Sequence, residues 1–270
     1  MLQIITDSSA EFTEEEAREL GIQIVPLAVV FGDTAYREGI DMQKDEFYKR
    51  LPTEFPHTSM PSTDDFTRAY VQTGGEETLV ILISSALSGT INTARLAARD
   101  GGFSKVHVYD SLGVTAILRI MVETACKHRD KSAEEVIAIL DELRPRIRLD
   151  ACLDTLEYLY KGGRIKKGVA FIGNLLGIKP LIEICKDGTV GMSGKAHGQK
   201  RALKSLVEKL KSAEVDPDYP VYFLQTDVEE PSRNVMEQVG MQDARIFRIC
   251  CAVGSHIGPN AAGLVYVVKK

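Results

Sequence analysis

The sequence lacks the features that mark an exported, membrane-spanning or disulfide-stabilised protein. No apolar run approaches the roughly 20 residues that a transmembrane helix needs. The first residues, MLQIITDSSAEF, contain no basic segment followed by an apolar stretch and a cleavage site. The five cysteines are an odd number and form no CxxC pair, unlike a disulfide framework or a zinc site. We therefore expect a cytoplasmic protein without integral membrane association.

Two catalytic signatures are also missing. A P-loop requires the spacing GxxxxGK[ST], and an α/β-type serine hydrolase requires a GxSxG elbow. The chain contains neither pattern. No aspartate is clearly placed as the third member of a Ser–His pair. We expect no catalytic residue.

The overall charge is mildly acidic. The chain has 33 Lys and Arg residues against 38 Asp and Glu residues, a formal net charge of −5, which argues against a nucleic-acid binder with a uniformly basic surface. Its 270 residues are 44% hydrophobic and 26% charged, as in an ordinary globular protein. That length allows one large domain or two small ones around a sizeable core.

The charge is unevenly distributed along the chain. Residues 161–204 carry a net charge of +8, so the rest of the chain carries −13. The basic residues of this segment are Lys161, Arg164, Lys166, Lys167, Lys179, Lys186, Lys195, Lys200, Arg201 and Lys204. Two interpretations remain open: solvated charges that cluster by chance, or a basic surface for an anionic ligand or acidic partner. Nucleic acid is not an expected partner, because few aromatic side chains accompany these charges.

Short apolar runs alternate with amphipathic helical segments through the first half of the chain. Runs at 3–5 and 79–84, among others, predict strands. A capping-box pattern at Ser132 predicts a helix that continues to about Arg148. Because helices separate the strands, we predict a parallel sheet covered on both faces, in a Rossmann-like α/β domain over residues 1–150.

The pattern changes after about residue 149. A short helix over 156–161 is predicted to end at Gly162-Gly163, and Asp187-Gly188 predicts a hairpin turn. Further predicted elements are a helix over 200–211 and strands over 221–224 and 244–250. We therefore predict a second, α+β domain over residues 151–270.

Two hydroxyl-rich segments are candidates for binding an anion. The segment LISSALSGT at 82–90 joins a predicted buried strand to a predicted helix, where exposed backbone N–H groups favour an anion. Ser88 or Thr90 has the alternative role of capping that helix.

The second such segment is HTSMPS at 57–62, which supplies Thr58 and Ser59. Pro61 favours an extended backbone just before it. We expect both segments at the ends of one sheet, where ligands bind in open α/β folds, and where they would converge on a carboxylate or a phosphate.

Two further polar residues stand out in the second half. Arg164 follows the flexible pair Gly162-Gly163, and its guanidinium suits bidentate contact with an oxyanion. His256 lies in the segment GSHIGP at 254–259, which predicts a tight turn. A lone histidine near glycines has a purely structural role as its alternative.

Eight segments, in order along nearly the whole chain, make the sequence resemble the DegV family of fatty-acid-binding proteins. They are IITDSSAEF at 4–12, FGDTAYREGID at 31–41, HTSMPS at 57–62, SSALSGT at 84–90, YDS at 109–111, LEYLYKGGRI at 156–165, LLGIKP at 175–180 and SHIGPNAAGLVY at 255–266. No single segment is diagnostic, whereas the eight in series are highly specific.

The resemblance implies two α/β domains with a long-chain fatty acid in a tunnel between them. Family members resemble the binding subunits of bacterial fatty acid kinase, which present the acyl chain to a separate ATP-dependent kinase subunit. The product is an acyl phosphate for phospholipid synthesis. The resemblance thus implies no catalysis by the chain alone, no metal, and no cofactor besides the bound fatty acid.

Carried onto this chain, the resemblance assigns the ligand carboxylate to the hydroxyls of Thr58 and Ser88. It places Arg164 and His256 in the surrounding polar network. The remaining residues of the implied site are Ser59, Gly89, Thr90 and Gly258.

The chain departs from the family pattern at three places. Met60 stands where many relatives carry Gln, and His197 stands where they carry an Arg associated with kinase docking. Bulkier residues follow Asp110-Ser111 than in relatives, which predicts a reshaped tunnel. The acyl chain length and the oligomeric state are left open.

An alternative function is a phosphate- or small-metabolite-binding enzyme of the phosphoryl-transfer class. In that interpretation the 84–90 segment is a phosphate cradle beside Arg164 and His256. ATPase or kinase activity in the isolated chain, abolished by Ser88→Ala, would favour it.

Overall fold

The computed structural model describes residues 1–165 and 177–270. In these ranges the strands are β1 (Gln3–Asp7), β2 (Ile22–Val25), β3 (Ala28–Phe31), β4 (Thr34–Arg37), β5 (His57–Ser59), β6 (Thr78–Leu82), β7 (Val106–Asp110), β8 (Ile147–Cys152), β9 (Ile178–Ile184), β10 (Val190–His197), β11 (Tyr222–Gln225), β12 (Arg245–Arg248) and β13 (Ala262–Val267). The helices are α1 (Glu14–Leu20), α2 (Lys44–Arg50), α3 (Thr63–Gln72), α4 (Thr90–Asp100), α5 (Ala116–Lys127), α6 (Ala133–Leu143), α7 (Glu157–Lys161), α8 (Gln199–Ser212), α9 (Glu230–Gln238) and α10 (Cys251–Ile257). None of these described helices has the length and apolar character needed to cross a bilayer.

The parallel sheet predicted for the first half has four strands in the order β2-β1-β6-β7. Successive residues of a strand point to opposite faces. Ile4 and Ile81 accordingly pack with α5, whereas Ile5 and Leu82 pack in a core with α3 and α4. Both faces are buried, as expected of a parallel sheet between helices.

The second half forms a six-stranded sheet in the order β10-β9-β8-β13-β11-β12. Its neighbouring strands are antiparallel except for the β11–β12 pair. One face packs on α8 and α9 around Phe223 and Leu264, and the other, with Leu224 and Val265, shares one core with α5 and the parallel sheet. The predicted class, a parallel-sheet α/β half followed by an α+β half, is confirmed.

A third sheet, of three antiparallel strands in the order β4-β3-β5, was not predicted. Thr58 lies on its strand β5 and pairs with Val29 of β3. The expectation that the 57–62 and 84–90 segments lie at the ends of one sheet is therefore wrong. The two segments belong to different parts of the fold, and only tertiary packing brings them together.

The helix predicted from Ser132 to about Arg148 ends earlier than expected. α6 has the predicted capping box at Ser132 but ends at Leu143, because Pro145 lacks the N–H that would continue the helix. After a 3-10 turn the chain enters β8, an interior strand of the second sheet. The predicted domain boundary at residue 150 thus falls within that strand.

The turn between β9 and β10 is the predicted Asp187-Gly188 hairpin, and it touches the parallel half of the molecule. Ser84 Oγ donates a hydrogen bond to Gly188 O at 2.9 Å. Gly188 has a φ of +77°, and a Cβ at this position would lie 2.2 Å from Ser84 Oγ and 3.1 Å from Leu112 Cα. Both the backbone conformation and the close approach therefore require glycine here.

Gly188→Ala is expected to destabilise the protein more than the matched variant Gly240→Ala. The two positions have nearly equal φ values, +77° and +75°, so each alanine incurs backbone strain of about 1–3 kcal/mol. At position 188 the added methyl group also collides with Ser84, whereas no described atom lies within 4 Å of a Cβ at position 240. Urea unfolding of both variants measures the difference, and equal losses in the free energy of unfolding would contradict this account.

Candidate functional site

A cavity of about 350 Å³ lies between the parallel sheet and the six-stranded sheet. The loops that follow β6 and β7 contribute Ile83 and Val114, at the carboxyl ends of parallel strands, where ligands bind in open α/β folds. Strands β8, β9 and β13 form the opposite wall, and α10 closes another side. The volume lies within the roughly 300–1,000 Å³ of small-molecule sites.

Most of the cavity wall is aliphatic. The aliphatic lining residues include Leu27, Ile83, Leu87, Val114, Leu149, Leu153, Leu159, Ile182, Ile184, Val190, Leu224, Ile249, Val253 and Ile257. Such a wall offers no hydrogen bond to a polar ligand, whereas each methylene group buried against it contributes about 0.8 kcal/mol. The cavity therefore suits an alkyl chain.

Six of the eight residues proposed from the sequence line this cavity. They are Thr58, Ser59, Ser88, Gly89, Arg164 and His256. They come from β5, from the loop before α4, from the loop after α7 and from α10, so the site is assembled from four separate parts of the chain.

The other two, Thr90 and Gly258, are not among the described lining residues. Thr90 is buried as the first residue of α4. Gly258 ends α10, and a Cβ there would lie 2.3 Å from the ring of Tyr158. Both belong to the support of the site.

Ser88 precedes the N-cap of α4. Gly89 occupies the N-cap and makes no side-chain hydrogen bond, so the capping role considered for Ser88 or Thr90 is wrong. Ser88 Oγ instead accepts from Thr90 N at 3.3 Å and lies 2.8 Å from Thr90 Oγ1. When Thr90 donates in that pair, Ser88 keeps its own proton for a ligand.

Met60 lies beside the loop that carries Ser88. It is 51% exposed and also lines the cavity. Its Sδ accepts a hydrogen bond from Thr93 Oγ1 at 3.3 Å, and a Cβ on Gly89 would lie 2.9 Å from the same sulfur atom. Glycine at position 89 thus lets the thioether approach the loop that carries Ser88.

His256 lies in the last turn of α10, so the tight turn expected around it is wrong. The backbone N–H groups that start α10 are bound by Glu11 and Glu38, from the other end of the chain, and no local sequence pattern shows this. Burial, and then the charge of Arg164, lower the pKa of His256 to about 4, so its imidazole is neutral at neutral pH.

The surroundings of the two ring nitrogens of His256 indicate where its proton lies. Nε2 is 3.0 Å from Thr58 Oγ1. Nδ1 is buried with no partner among the described residues, and a Cβ on Gly162 would lie 2.1 Å from it. Because an orphaned buried N–H is rarer than an unpaired acceptor, we assign the proton to Nε2, which donates to Thr58 Oγ1. The Thr58 hydroxyl then keeps its own proton for a ligand oxygen.

Arg164 brings a positive charge to the same end of the cavity. Its Nε donates to Leu87 O at 2.9 Å, and its Nη1 donates to Gly162 O at 2.5 Å. Partial burial lowers the pKa of the guanidinium, and within the described ranges no carboxylate offsets this effect. An anionic ligand would supply the missing counter-charge.

Thr115 lines the cavity and was missed by the sequence analysis. It is 2% exposed, and its backbone has φ +52° and ψ −130°, a conformation that few non-glycine residues adopt. Its Oγ1 has no hydrogen-bond partner in the described part of the chain. The available signal was its place just after the YDS segment, but strained residues at ligand sites leave no mark in a local sequence pattern.

The basic segment at 161–204 contains both paired and exposed charges. Among its described residues, three lysines form ion pairs: Lys161 with Glu157, Lys179 with Asp154 and Lys204 with Glu208. Four further cations are exposed on the β9–β10 turn, on β10 and at the start of α8: Lys186, Lys195, Lys200 and Arg201. The residues Lys166, Lys167, Leu175 and Leu176 lie outside the described residues.

Comparison with known sequences adds a family to this geometry. The family model described as "Uncharacterised protein, DegV family" matches residues 1–269. A DegV domain-containing protein from Deinococcus radiodurans is 33% identical over 274 residues, which cover 97% of each chain.

Solved structures share the fold over the whole chain. A DegV family protein from Thermus thermophilus, described as binding fatty acid, is 28% identical, with a TM-score of 0.88 and 99% of each chain covered. A stearic-acid-binding protein from Eubacterium ventriosum is 28% identical, with a TM-score of 0.85, over 100% of this chain and 99% of that one. The chain therefore belongs to the DegV family.

Proposed function

We propose that the chain binds a long-chain fatty acid in the cavity, with the carboxylate at Thr58 and Ser88. The observation that carries this proposal is an aliphatic cavity of about 350 Å³ with hydroxyl donors at one end, beside Arg164, a cation that no carboxylate of the described residues compensates. The fatty-acid-binding and stearic-acid-binding relatives support the same class of ligand.

The alkyl chain would supply most of the binding free energy. At about 0.8 kcal/mol per methylene, a chain of about 16 carbons contributes at most roughly 10 kcal/mol. The carboxylate loses hydration in the cavity, and an unpaired buried charge would cost more than the chain can offset. The two hydroxyls and the charge of Arg164 offset that loss.

The first test is solvent extraction of the purified protein followed by mass spectrometry. We expect a fatty acid in about equimolar amount, because an aliphatic cavity of this kind retains its ligand through purification. The measured length of the fatty acid then shows how long an alkyl chain the cavity accommodates. A protein that is empty and also refuses added palmitate and oleate would overturn the proposal and favour a phosphate-binding enzyme.

Thr58→Ala and Ser88→Ala are each expected to weaken fatty-acid binding by about 1–3 kcal/mol, because each removes a donor to a buried carboxylate. The melting temperature of each variant should also fall, because Ser88 Oγ accepts from Thr90 N and Thr58 Oγ1 accepts from His256 Nε2, so the affinities are compared well below the melting temperatures. Titration with a fluorescent fatty acid gives the affinity of each variant.

Ser104→Ala is the matched control for these variants. Ser104 is exposed just before the amino end of β7, whereas the cavity lies at the carboxyl ends of the parallel strands. Its affinity should equal that of the unmodified chain. Unchanged affinity in the double variant Thr58→Ala, Ser88→Ala would rule out this carboxylate site.

We further propose that the chain is a carrier and that a separate ATP-dependent kinase subunit phosphorylates the bound fatty acid, for phospholipid synthesis. Neutral hydroxyl donors leave a carboxylate oxygen available for phosphoryl transfer, whereas a bidentate arginine pair would engage both oxygens. The exposed cations Lys195, Lys200 and Arg201 are the proposed docking surface for an acidic or nucleotide-bearing kinase. His197, exposed beside them, stands where relatives carry arginine.

Lys200→Glu combined with Arg201→Glu is expected to lower the rate of acyl-phosphate formation by about tenfold at limiting kinase, through slower association. The bound fatty acid should be unchanged, because neither residue lines the cavity. The rate is measured with ATP and a fatty acid kinase subunit at low and high salt.

Lys105→Glu combined with Lys127→Glu is the control of equal charge change, because both lysines are exposed elsewhere, before β7 and at the end of α5. It should leave the rate as it is. An equal loss in both double variants would mean that net charge, rather than this surface, guides docking.

A further inference from the structure

Two buried carboxylates meet at the start of α10. Glu11 and Glu38 are 5% and 7% exposed, and they come from the IITDSSAEF and FGDTAYREGID segments, which the proposed ligand site does not use. Glu11 Oε1 accepts a hydrogen bond from Cys250 N at 2.8 Å. Glu38 Oε1 accepts one from Cys251 N. The first N–H groups of α10 are therefore held by side chains more than 200 residues earlier in the chain.

One lysine accompanies these two carboxylates. Lys44 Nζ, on α2, donates to Glu11 Oε2 at 2.9 Å and also to Arg248 O. The guanidinium of Arg248 itself pairs with Asp45, at the surface. The charges of the group balance when one of the two carboxyl groups carries a proton.

Asp7, a fully buried carboxyl group whose pKa is raised by burial, also interacts with Glu11. The groups in contact with Glu38 itself, apart from Lys44, are neutral. Ser8 Oγ donates to Glu38 Oε2 at 3.1 Å and accepts from Leu27 N at 3.0 Å. The thiols of Cys250 and Cys251 are held neutral, since burial raises the pKa of both. The phenol of Tyr48 on α2, which donates to Ile249 O at 3.0 Å, also has a raised pKa because it is buried.

Glu38 is the member of the pair that takes up the proton. Burial, and then the charge of Glu11, raise the pKa of Glu38 to about 7, against the lowering effects of Cys251 N–H and Lys44. Because the pKa is raised in the folded state, the neutral form is the better accommodated one. Stability linked to Glu38 is therefore present at low pH and is lost as the pH rises towards 7 and through it.

α10 connects this pair of carboxylates to the ligand cavity. Ala252, Val253, His256 and Ile257 of this helix line the cavity, and His256 is hydrogen-bonded to Thr58. The helix has seven residues, so a shift at its first N–H groups moves its lining side chains as well.

We propose that Glu11 and Glu38 are positioning residues for the ligand site, and that the proton on Glu38 determines how firmly α10 is held. When Glu38 loses that proton, two carboxylates repel each other beside a single lysine, α10 loosens, and the ligand dissociates faster. The inference rests on the proposed fatty-acid binding and adds a pH dependence to it: retention falls as the pH rises through neutrality.

The test compares the full chain with Glu38→Gln. Glutamine keeps an acceptor for Cys251 N and places an amide N–H group, in place of the acceptor Oε2, towards Ser8 Oγ, but it does not ionise. The dissociation rate of preloaded oleate is measured between about pH 5.5 and about pH 8.5, which spans the expected titration. We expect the dissociation rate from the unmodified chain to rise several-fold with pH, with a midpoint near pH 7. The rate from Glu38→Gln should not change with pH. Glu19→Gln, at an exposed position of α1, should keep the profile of the unmodified chain.

Hydrogen exchange of the α10 amides is the second readout and needs no ligand. At alkaline pH these amides should exchange faster in the unmodified chain than in Glu38→Gln, and equally at acidic pH. Glu11→Gln keeps the acceptor for Cys250 N but removes the charge that raises the pKa of Glu38, so it should move the midpoint to lower pH. That variant keeps the proposal testable if Glu38→Gln does not fold.

The outcomes separate this inference from the proposed function. Identical hydrogen exchange in Glu38→Gln and the unmodified chain would overturn the inference. Altered exchange together with an identical oleate dissociation profile would also overturn it, because Glu38 would then have a purely structural role. A chain that binds no oleate would overturn the proposed function, and the exchange measurement would then decide whether α10 depends on the proton.

Discussion

A carboxylate that enters an aliphatic cavity loses its hydration, and the protein must replace that water with donors it can hold in place. In this molecule the replacement is indirect. Arg164 is fixed by two backbone carbonyls, Leu87 O and Gly162 O, and its charge meets no described carboxylate. A salt bridge would hold the side chain equally well, but it would cancel the charge that an anionic ligand needs. Carbonyl oxygens orient the guanidinium and leave its positive charge available to an anionic ligand.

The need to hold these polar groups in place also explains why α10 is central to the architecture. Its last turn carries His256, which reaches Thr58 on a strand 198 residues earlier in the chain. The N–H of its N-cap residue, Cys250, is bound by Glu11, 239 residues earlier. The helix therefore joins the third sheet and the parallel half to the second sheet at the point where the cavity closes. A short helix has little stability of its own, so its position depends on these long-range partners.

Sequence patterns predicted what depends on local chemistry. The strand segments of the parallel sheet, the capping box at Ser132 and the hairpin at Asp187-Gly188 are each marked by a pattern of residues close together in the chain, and each is present. β8 was taken for the end of a helix, and α10 for a turn, because the partners that stabilise them lie far away in sequence. The order of eight segments indicated most of the polar residues that line the cavity, but few of the aliphatic ones. It also included Thr90, which does not line the cavity, since two residues in one segment share a sequence signal but need not share a face. Thr115 was not predicted as a lining residue, because its strained backbone is imposed by the surrounding fold.

The aliphatic wall and the polar end of the cavity would contribute differently to the binding of a fatty acid, which matters for the proposed carrier function. Affinity that comes from burying methylene groups is distributed along the aliphatic wall and does not depend on any single polar contact. The polar end then only has to offset the lost hydration of the carboxylate, and neutral donors there would leave an oxygen on which a second protein could act. With the proton of His256 on Nε2, Thr58 would give the proposed ligand one hydrogen bond from a neutral donor, which would orient an oxygen without neutralising it. Met60, a lining residue that is 51% exposed, lies beside the loop that carries Ser88, so the lining reaches the surface near the proposed carboxylate site. Tight retention of a bound alkyl chain and chemical access to its head group would therefore be compatible, because different residues would control them.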